Sequence, residues 1–230
     1  MEKWREFSGK IKDITRINLI RDYMLSKDHP DVVFIWIPKS AGTSIYNAIK
    51  ARKFKTIERI EYRFCGRGVV TFGHMDYYEI LRQGHVSLDF DKKAFKFAIV
   101  RDPYDRAVSL YEYLKVRNKL YHNHESFLDF LRRLNDNGID PIGLYSSQGT
   151  SHCNPQARWI DKINMDFIGR FENLESDLQS IKSRIGISKL FIPKINTSKR
   201  GNTSEYYCPE SRDLVQHIYR KDFEFFSYKK

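Results

Sequence analysis

The stretch VVFIWIPKSAGTSIY, residues 32–46, decides the fold. Its first part, 32–37, is an unbroken β-branched and aromatic run, the composition of a strand buried on both faces. Ile45, Ala48 and Ile49 then recur at helical spacing, which predicts a helix over 43–52. The turn between them, with Ala41 and Gly42 at its centre, gathers backbone N–H groups, the Lys39 ammonium and the Ser40, Thr43 and Ser44 hydroxyls at a helix N-terminus. A phosphate or sulfate fits such a cradle. The mononucleotide P-loop needs Gly-Lys-Ser/Thr in sequence; here Lys39 precedes Gly42 and no Lys stands between that glycine and Thr43, so handling of a magnesium triphosphate is not implied. The plainer alternative for this segment alone is a strand, turn and helix whose hydroxyls only cap the helix.

Working outward, buried-strand patterns at 32–37, 69–73 and 95–100 alternate with helical patterns at 43–52, 76–83 and 103–117. This is the βαβ rhythm of an α/β sheet. Ligands of such sheets collect beyond the carboxyl ends of the strands, which directs attention to 38–44, His74 and Arg101. Residues 118–160 read as an irregular cap with a short helix near 125–134. A further strand is expected at 166–171, then a helix marked by Phe171, Leu174, Leu178, Ile181 and Ile185, with Gly186 as its C′ residue. A basic, hydroxyl-rich loop at 195–205 precedes a last helix at 209–220, where Pro209 suits the first turn. The whole is read as one domain over 1–230, with a helical extension at 1–30.

A second anion motif lies in FAIVRDPYDRAVSLYEYL, 97–114. Asp102 is a plausible N-cap with Pro103 at N1. Ala107, Leu110, Tyr111 and Leu114 form the buried face, Ser109 lies off it, and Arg101 hangs in the preceding loop. A guanidinium fork and a hydroxyl beside a helix start suit an anion; the alternative is an Arg bridged to a nearby carboxylate and a merely exposed Ser.

Composition narrows the partners. With 40 Lys and Arg against 29 Asp and Glu, the formal net charge is +11, so the field of the molecule favours anions. Nucleic acid, an anionic membrane surface, a nucleotide and an acidic polysaccharide all qualify. Basic residues are spread rather than gathered in a tail. Cys65, Cys153 and Cys208 show no CxxC spacing, so neither a disulfide framework nor a zinc site follows. No apolar run approaches the roughly 20 residues of a membrane-spanning helix, and the N-terminal segment lacks the apolar core of a secretory signal.

Taken together, IPKSAGTS at 37–44 and VRDPYDRAVSLY at 100–111 resemble the glycan sulfotransferases of the heparan and chondroitin type, which use 3′-phosphoadenosine-5′-phosphosulfate (PAPS). GHMDY at 73–77, NPQARWI at 154–160, IGRFENLESDL at 168–178, INTSKRG at 195–201 and IYRKDFEFFSY at 218–228 extend the resemblance over most of the chain. It implies a P-loop-like three-layer α/β fold, a central parallel sheet flanked by helices, and a carbohydrate O-sulfotransferase. It also implies that Lys39, with Ser40, Ala41, Gly42, Thr43 and Ser44, holds the 5′-phosphosulfate. Arg101 and Ser109 would bind the 3′-phosphate, and Lys199, Arg200 and Gly201 would close over it. The Lys39 ammonium, aimed at the breaking S–O bridge, would stabilise charge on the leaving phosphate, and no metal is demanded.

The acceptor hydroxyl needs a base, and His74, at a strand's carboxyl end, is the candidate. Some relatives carry a second His two residues earlier, where this chain has Phe72. His85, His122, His124, His152 and His217 match no motif role and read as loop or surface residues. Lys115, Arg117, Lys119, Arg132, Arg133 and Arg158 of the cap could line a groove for an acidic or already sulfated glycan. The expected partners are PAPS, its product adenosine 3′,5′-bisphosphate and a glycan, with no nucleic acid. A bacterial, cytoplasmic enzyme is expected, the alternative being the luminal domain of a Golgi enzyme with its anchor removed. The competing reading is a non-catalytic basic nucleotide- or nucleic-acid-binding protein, against which stands the lack of an RNA-binding sheet signature or recognition-helix motif.

Overall fold

The computed structural model describes residues 31–51, 68–71, 74–117, 120, 125–139, 151–185 and 201–230. The expected extension over 1–30, Phe72, Lys119, His122, His124, Gly186, Lys199 and Arg200 lie outside them. Four strands form one parallel sheet: β1 (Val32–Ile35), β2 (Gly68–Val70), β3 (Phe95–Val100) and β4 (Phe167–Arg170), in the order β2-β1-β3-β4. Alternate residues point to opposite faces, as the pleat requires. Val33, Ile35, Ala98 and Val100 pack with Tyr77, Ile80, Trp159 and Phe226 on one side. Val32, Phe34, Phe97 and Ile99 pack with Ile45, Leu178, Ile181 and Ile185 on the other. Helices therefore cover both faces, the three-layer arrangement expected from the βαβ rhythm.

The helices are α1 (Gly42–Ala51), α2 (Tyr77–Arg82), α3 (Leu88–Lys93), α4 (Pro103–Val116), α5 (Phe127–Asp136), α6 (Leu174–Ile185), α7 (Pro209–Ile218) and α8 (Arg220–Phe226). Asp76, Ser87, Asp102 and Ser126 cap α2, α3, α4 and α5 by accepting from first-turn N–H groups. Helix α3 was not anticipated: none of its residues is fully buried, and it is held by its Ser87 cap, by Phe90 packing on the core and by Asp91 accepting from the Tyr77 hydroxyl at 3.0 Å, too few apolar contacts to give a helical period. The helix expected over 209–220 is α7, which ends at Ile218; it is not the last, since past Tyr219 the unanticipated α8 buries Asp222, Phe223 and Phe226. Strand β2 ends earlier than expected, because beyond Thr71 the chain turns to His74 in the left-handed region, φ 61°. Within the expected cap, α5 stands close to the helix expected near 125–134 and shares with α4, α7 and α8 a core of Leu110, Leu114, Phe130, Leu131, Val215 and Phe223.

Candidate active site

Strands β1 and β3 are neighbours, with Ile35 opposite Ala98, so the loops that follow them leave the sheet side by side. The first loop is built under strain. Lys39 and Ala41 take positive φ values of 68° and 61°, a conformation that costs a non-glycine residue about 1–3 kcal/mol unless its surroundings impose it. Those surroundings are specific. The Pro38 carbonyl accepts from Arg106 Nε at 3.1 Å, the Lys39 carbonyl accepts from Arg101 Nη1 at 3.1 Å, and the Ser40 hydroxyl donates to Gln156 Oε1 at 3.2 Å. Gly42 opens α1 against the Trp36 indole, where a Cβ would fall 2.0 Å from Nε1; only glycine fits. The Ala41 carbonyl then accepts from Ser44 and Ile45, starting the helix. Thr43 is half-buried, and Ser40 and Ser44 are buried. The Lys39 ammonium stands over the Tyr113 ring, 4.2 Å from its centroid.

The second loop is regular. Asp102 caps α4, and Arg101 lies against Asp105 through Nε at 2.7 Å and through Nη2, while stacking on Phe171 at 4.0 Å. The carboxylate bridge weighed as the plainer alternative is thus present, yet the same guanidinium reaches the Lys39 carbonyl and joins the two loops. Asp105 and Ser109 are one turn apart on the same helix face, so Arg101, Asp105 and Ser109 form a stripe. Ser109 is buried, not exposed. Thr203 hydrogen-bonds Asp105, and Tyr206 donates to Glu112 at 3.0 Å, so the segment that leaves the late basic loop runs along α4 beside that stripe. Gly201, exposed, backs onto Glu205.

His74 sits between β2 and α2. Its Nδ1 is 2.8 Å from the Trp36 carbonyl, which only accepts, so Nδ1 carries the proton and Nε2 the lone pair. The Trp159 indole donates to the His74 carbonyl at 2.9 Å and fixes the backbone. Burial lowers the His74 pKa from 6.5 to about 4, reinforced by Arg106 and Lys39 and opposed by the Trp36 hydrogen bond, so the ring is neutral at neutral pH.

Sequence reasoning missed His152. It is buried, its ring packs edge-on against His74 with centroids 4.7 Å apart, and Tyr113 lies 5.8 Å away. Burial, then His74, Arg106 and Lys39, lower its pKa from 6.5 to about 2. Neither its spacing nor its neighbours mark it; nearness to NPQARWI was the one available hint. Arg106 and Gln156 were missed as well, although both stand inside quoted motifs. Arg106, 1% exposed, binds the Pro38, His152 and Asn154 carbonyls. His85 and His217 are exposed, as expected.

The basic residues of the cap are largely committed elsewhere. Arg132 forks onto Glu210, Arg133 onto the buried Glu125, and Arg158 meets Asp76 at 3.2 Å. Arg133 is thus committed to the interior, Arg132 and Arg158 pair at the surface while still half exposed, and Lys115 and Arg117 are exposed. Among the described residues no group of His, Cys, Asp and Glu is placed to hold a metal ion, and no helix is long and apolar enough to cross a membrane.

Fold and site together define a class: a parallel α/β protein with two anion-type loops abutting at the carboxyl end of its sheet and a neutral imidazole beside them. Residues 21–229 match the family model described as "Sulfotransferase family", and the chain belongs to that family. Carbohydrate sulfotransferase 10 of Rattus norvegicus is 26% identical over 171 residues, 60% of this chain and 48% of that protein, and the Homo sapiens protein of the same name matches equally. The chain thus spans about half the length of these curated relatives. An uncharacterized protein of Archaeoglobus fulgidus is 30% identical over 107 residues, 46% of this chain and 79% of its own. A sulfotransferase crystal structure from Alicyclobacillus acidocaldarius aligns with 94% of this chain and 92% of its own at 18% identity and TM-score 0.44.

Proposed function

We propose that the protein transfers the sulfonate group of PAPS to a hydroxyl of a polysaccharide or glycoconjugate. The observation that carries this reading is the Arg101 guanidinium on the Lys39 carbonyl, which brings the two loops that would hold the two charged ends of one nucleotide into direct contact. Membership of the family and the named carbohydrate sulfotransferases among its relatives support the sulfonate and the glycan. Nothing specific favours the nucleic-acid alternative.

In this reading the first loop grips the 5′-phosphosulfate with the 40–44 backbone and the Thr43 and Ser44 hydroxyls. Ser40 contributes its backbone, its hydroxyl being turned to Gln156. Arg101 and Ser109 receive the 3′-phosphate, and Lys199, Arg200 and Gly201 close over it. The Lys39 ammonium leaves the Tyr113 ring for the bridging oxygen, where negative charge builds as the S–O bond breaks. His74 Nε2 takes the acceptor proton as the new O–S bond forms. Its low pKa reflects burial reinforced by two nearby cations; the anionic donor offsets those cations and raises the basicity of the imidazole at the moment it is needed.

The test is thermal stabilisation by adenosine 3′,5′-bisphosphate but not by ATP with magnesium, followed by transfer of labelled sulfonate from PAPS to native and desulfated polysaccharides. Stabilisation by the bisphosphate and label in a polysaccharide are expected. No stabilisation, or stabilisation by both nucleotides alike, overturns the reading.

A further inference from the structure

Gln156 is fully buried at the start of the 3-10 turn Gln156–Trp159, and its one amide meets both anion loops. Oε1 accepts from the Ser40 hydroxyl at 3.2 Å and from the Arg101 N–H at 2.9 Å. Nε2 donates to the Arg101 carbonyl at 2.7 Å and to Asp222 Oδ2 at 3.4 Å. The side chain therefore pairs with both polar groups of residue 101, as a neighbouring strand would, while also holding the first loop. Its own position is set from the far end of the chain: Asp222 on α8, fully buried, accepts from the backbone N–H of Gln156 at 2.8 Å and of Ala157 at 2.9 Å. The chemistry requires an amide of this length. A carboxylate has no donor for the Arg101 carbonyl, an aliphatic side chain has neither donor nor acceptor, and Asn is one methylene short.

We propose that Gln156 is a positioning residue that fixes the separation and angle of the two anion loops, so that a ligand charged at both ends is bound as one unit. It acts through Ser40 and Arg101. The proposal rests on the reading that one 3′,5′-bisphosphorylated nucleotide spans the two loops. Because the amide links the loops to each other, its loss would harm a ligand that uses both more than a ligand that uses one.

The experiment is calorimetric titration of wild type and Gln156→Leu with adenosine 3′,5′-bisphosphate, adenosine 5′-monophosphate and adenosine 3′-monophosphate. The bisphosphate is expected to weaken about tenfold or more while each mononucleotide changes less than about threefold, and kcat to fall alongside. Equal weakening of all three nucleotides, or no weakening of the bisphosphate, overturns the proposal. Gln156→Glu supplies a second route if the Leu variant does not fold. A protonated carboxyl restores the donor to the Arg101 carbonyl, so the bisphosphate-to-monophosphate preference, relative to wild type, is expected to recover from about pH 8 down to about pH 5.5. A preference as low at about pH 5.5 as in Gln156→Leu counts against the proposal, whereas one that is wild-type-like throughout, the carboxyl staying protonated, supports it. Wild-type protein that binds the bisphosphate no more tightly than either mononucleotide would instead remove the spanning reading, a separate result from failure of the variants.

Discussion

The two anion loops are neighbours in space and opposites in construction. The second takes its backbone conformation from local signals, although Gln156 and Glu172 also hold it from afar: Asp102 caps, Pro103 presets the first turn, and Arg101 meets Asp105 one turn along. A peptide of that sequence already contains its instructions. The first is imposed. Lys39 and Ala41 hold left-handed backbone, and the contacts that keep them there come from Trp36, Arg101, Arg106 and Gln156. The difference lies in the backbone rather than in outside help: distant residues hold both loops, Gln156 binding the Ser40 hydroxyl and both polar groups of Arg101, but only the first loop carries left-handed conformations that its own residues disfavour. Strain concentrates where charge is expected to develop, the pattern of a preorganised site.

The sharpest way to break this contrast is to separate chemistry from binding. Lys39→Ala and His74→Ala are each expected to lower kcat about 100- to 10,000-fold, the His variant retaining stabilisation by adenosine 3′,5′-bisphosphate. Arg101→Lys, in contrast, is expected to raise the donor KM, since a point charge cannot reproduce the fork. Steady-state kinetics and thermal shift decide; full activity in His74→Ala would end its assignment as base.

Arg106→Leu removes the buried cation from three carbonyls of the first loop and the cap. A loss of about 3 kcal/mol or more is expected in denaturant unfolding. A loss under about 1 kcal/mol would mean that the first loop does not depend on this strut. Next in size, Gly42→Ala drives a methyl into the Trp36 indole and is expected to cost about 1–3 kcal/mol, with activity falling further because Trp36 also holds His74.

Acid should distinguish the two regions as well. His74 has a folded pKa of about 4 against 6.5, so between these values the unfolded chain binds a proton that the fold refuses. His152, held lower still, acts in the same sense. Their contribution to stability is therefore full above about pH 6.5 and is lost as pH falls toward 4. The carboxyl of Asp222, raised by burial, opposes this above pH 3.8, where the fold binds a proton before the unfolded chain does. Histidine substitution to Gln should flatten the slope of midpoint against pH across 4 to 6.5. The smallest effect is expected of the local loop: Asp102→Ala should cost about 1 kcal/mol, the worth of one N-cap, with kcat little changed.

Much of this was legible because it is written in short-range signals. The buried-strand runs, the N-caps and the helical periods placed β1, β3, β4, α1, α2, α4, α5 and α6 within a few residues; the motif pair drew attention to Lys39 and Arg101, and the strand-end position to His74, as candidates. What was misread lacked such a signal. Helix α3 sets only Phe90 against the core and so shows no apolar period, and the partners of the buried Asp222 on α8 lie some 65 residues away, beyond any local signal. The fate of the cap arginines could not be read either, since Glu125, Asp76 and Glu210 become their partners only once helices pack.

The sequence by itself determined the class of fold and marked out the two loops proposed to hold the anions, because strand and helix periods, caps and a Lys- and Gly-bearing turn depend on neighbours a few residues away. Tertiary structure alone decided that the loops touch, that Gln156 ties them together, that Arg106 braces the strained turn and that His152 lies against His74. Those pairings join residues far apart in the chain, and their partners are fixed only when a buried polar group must find its hydrogen bonds inside the folded protein.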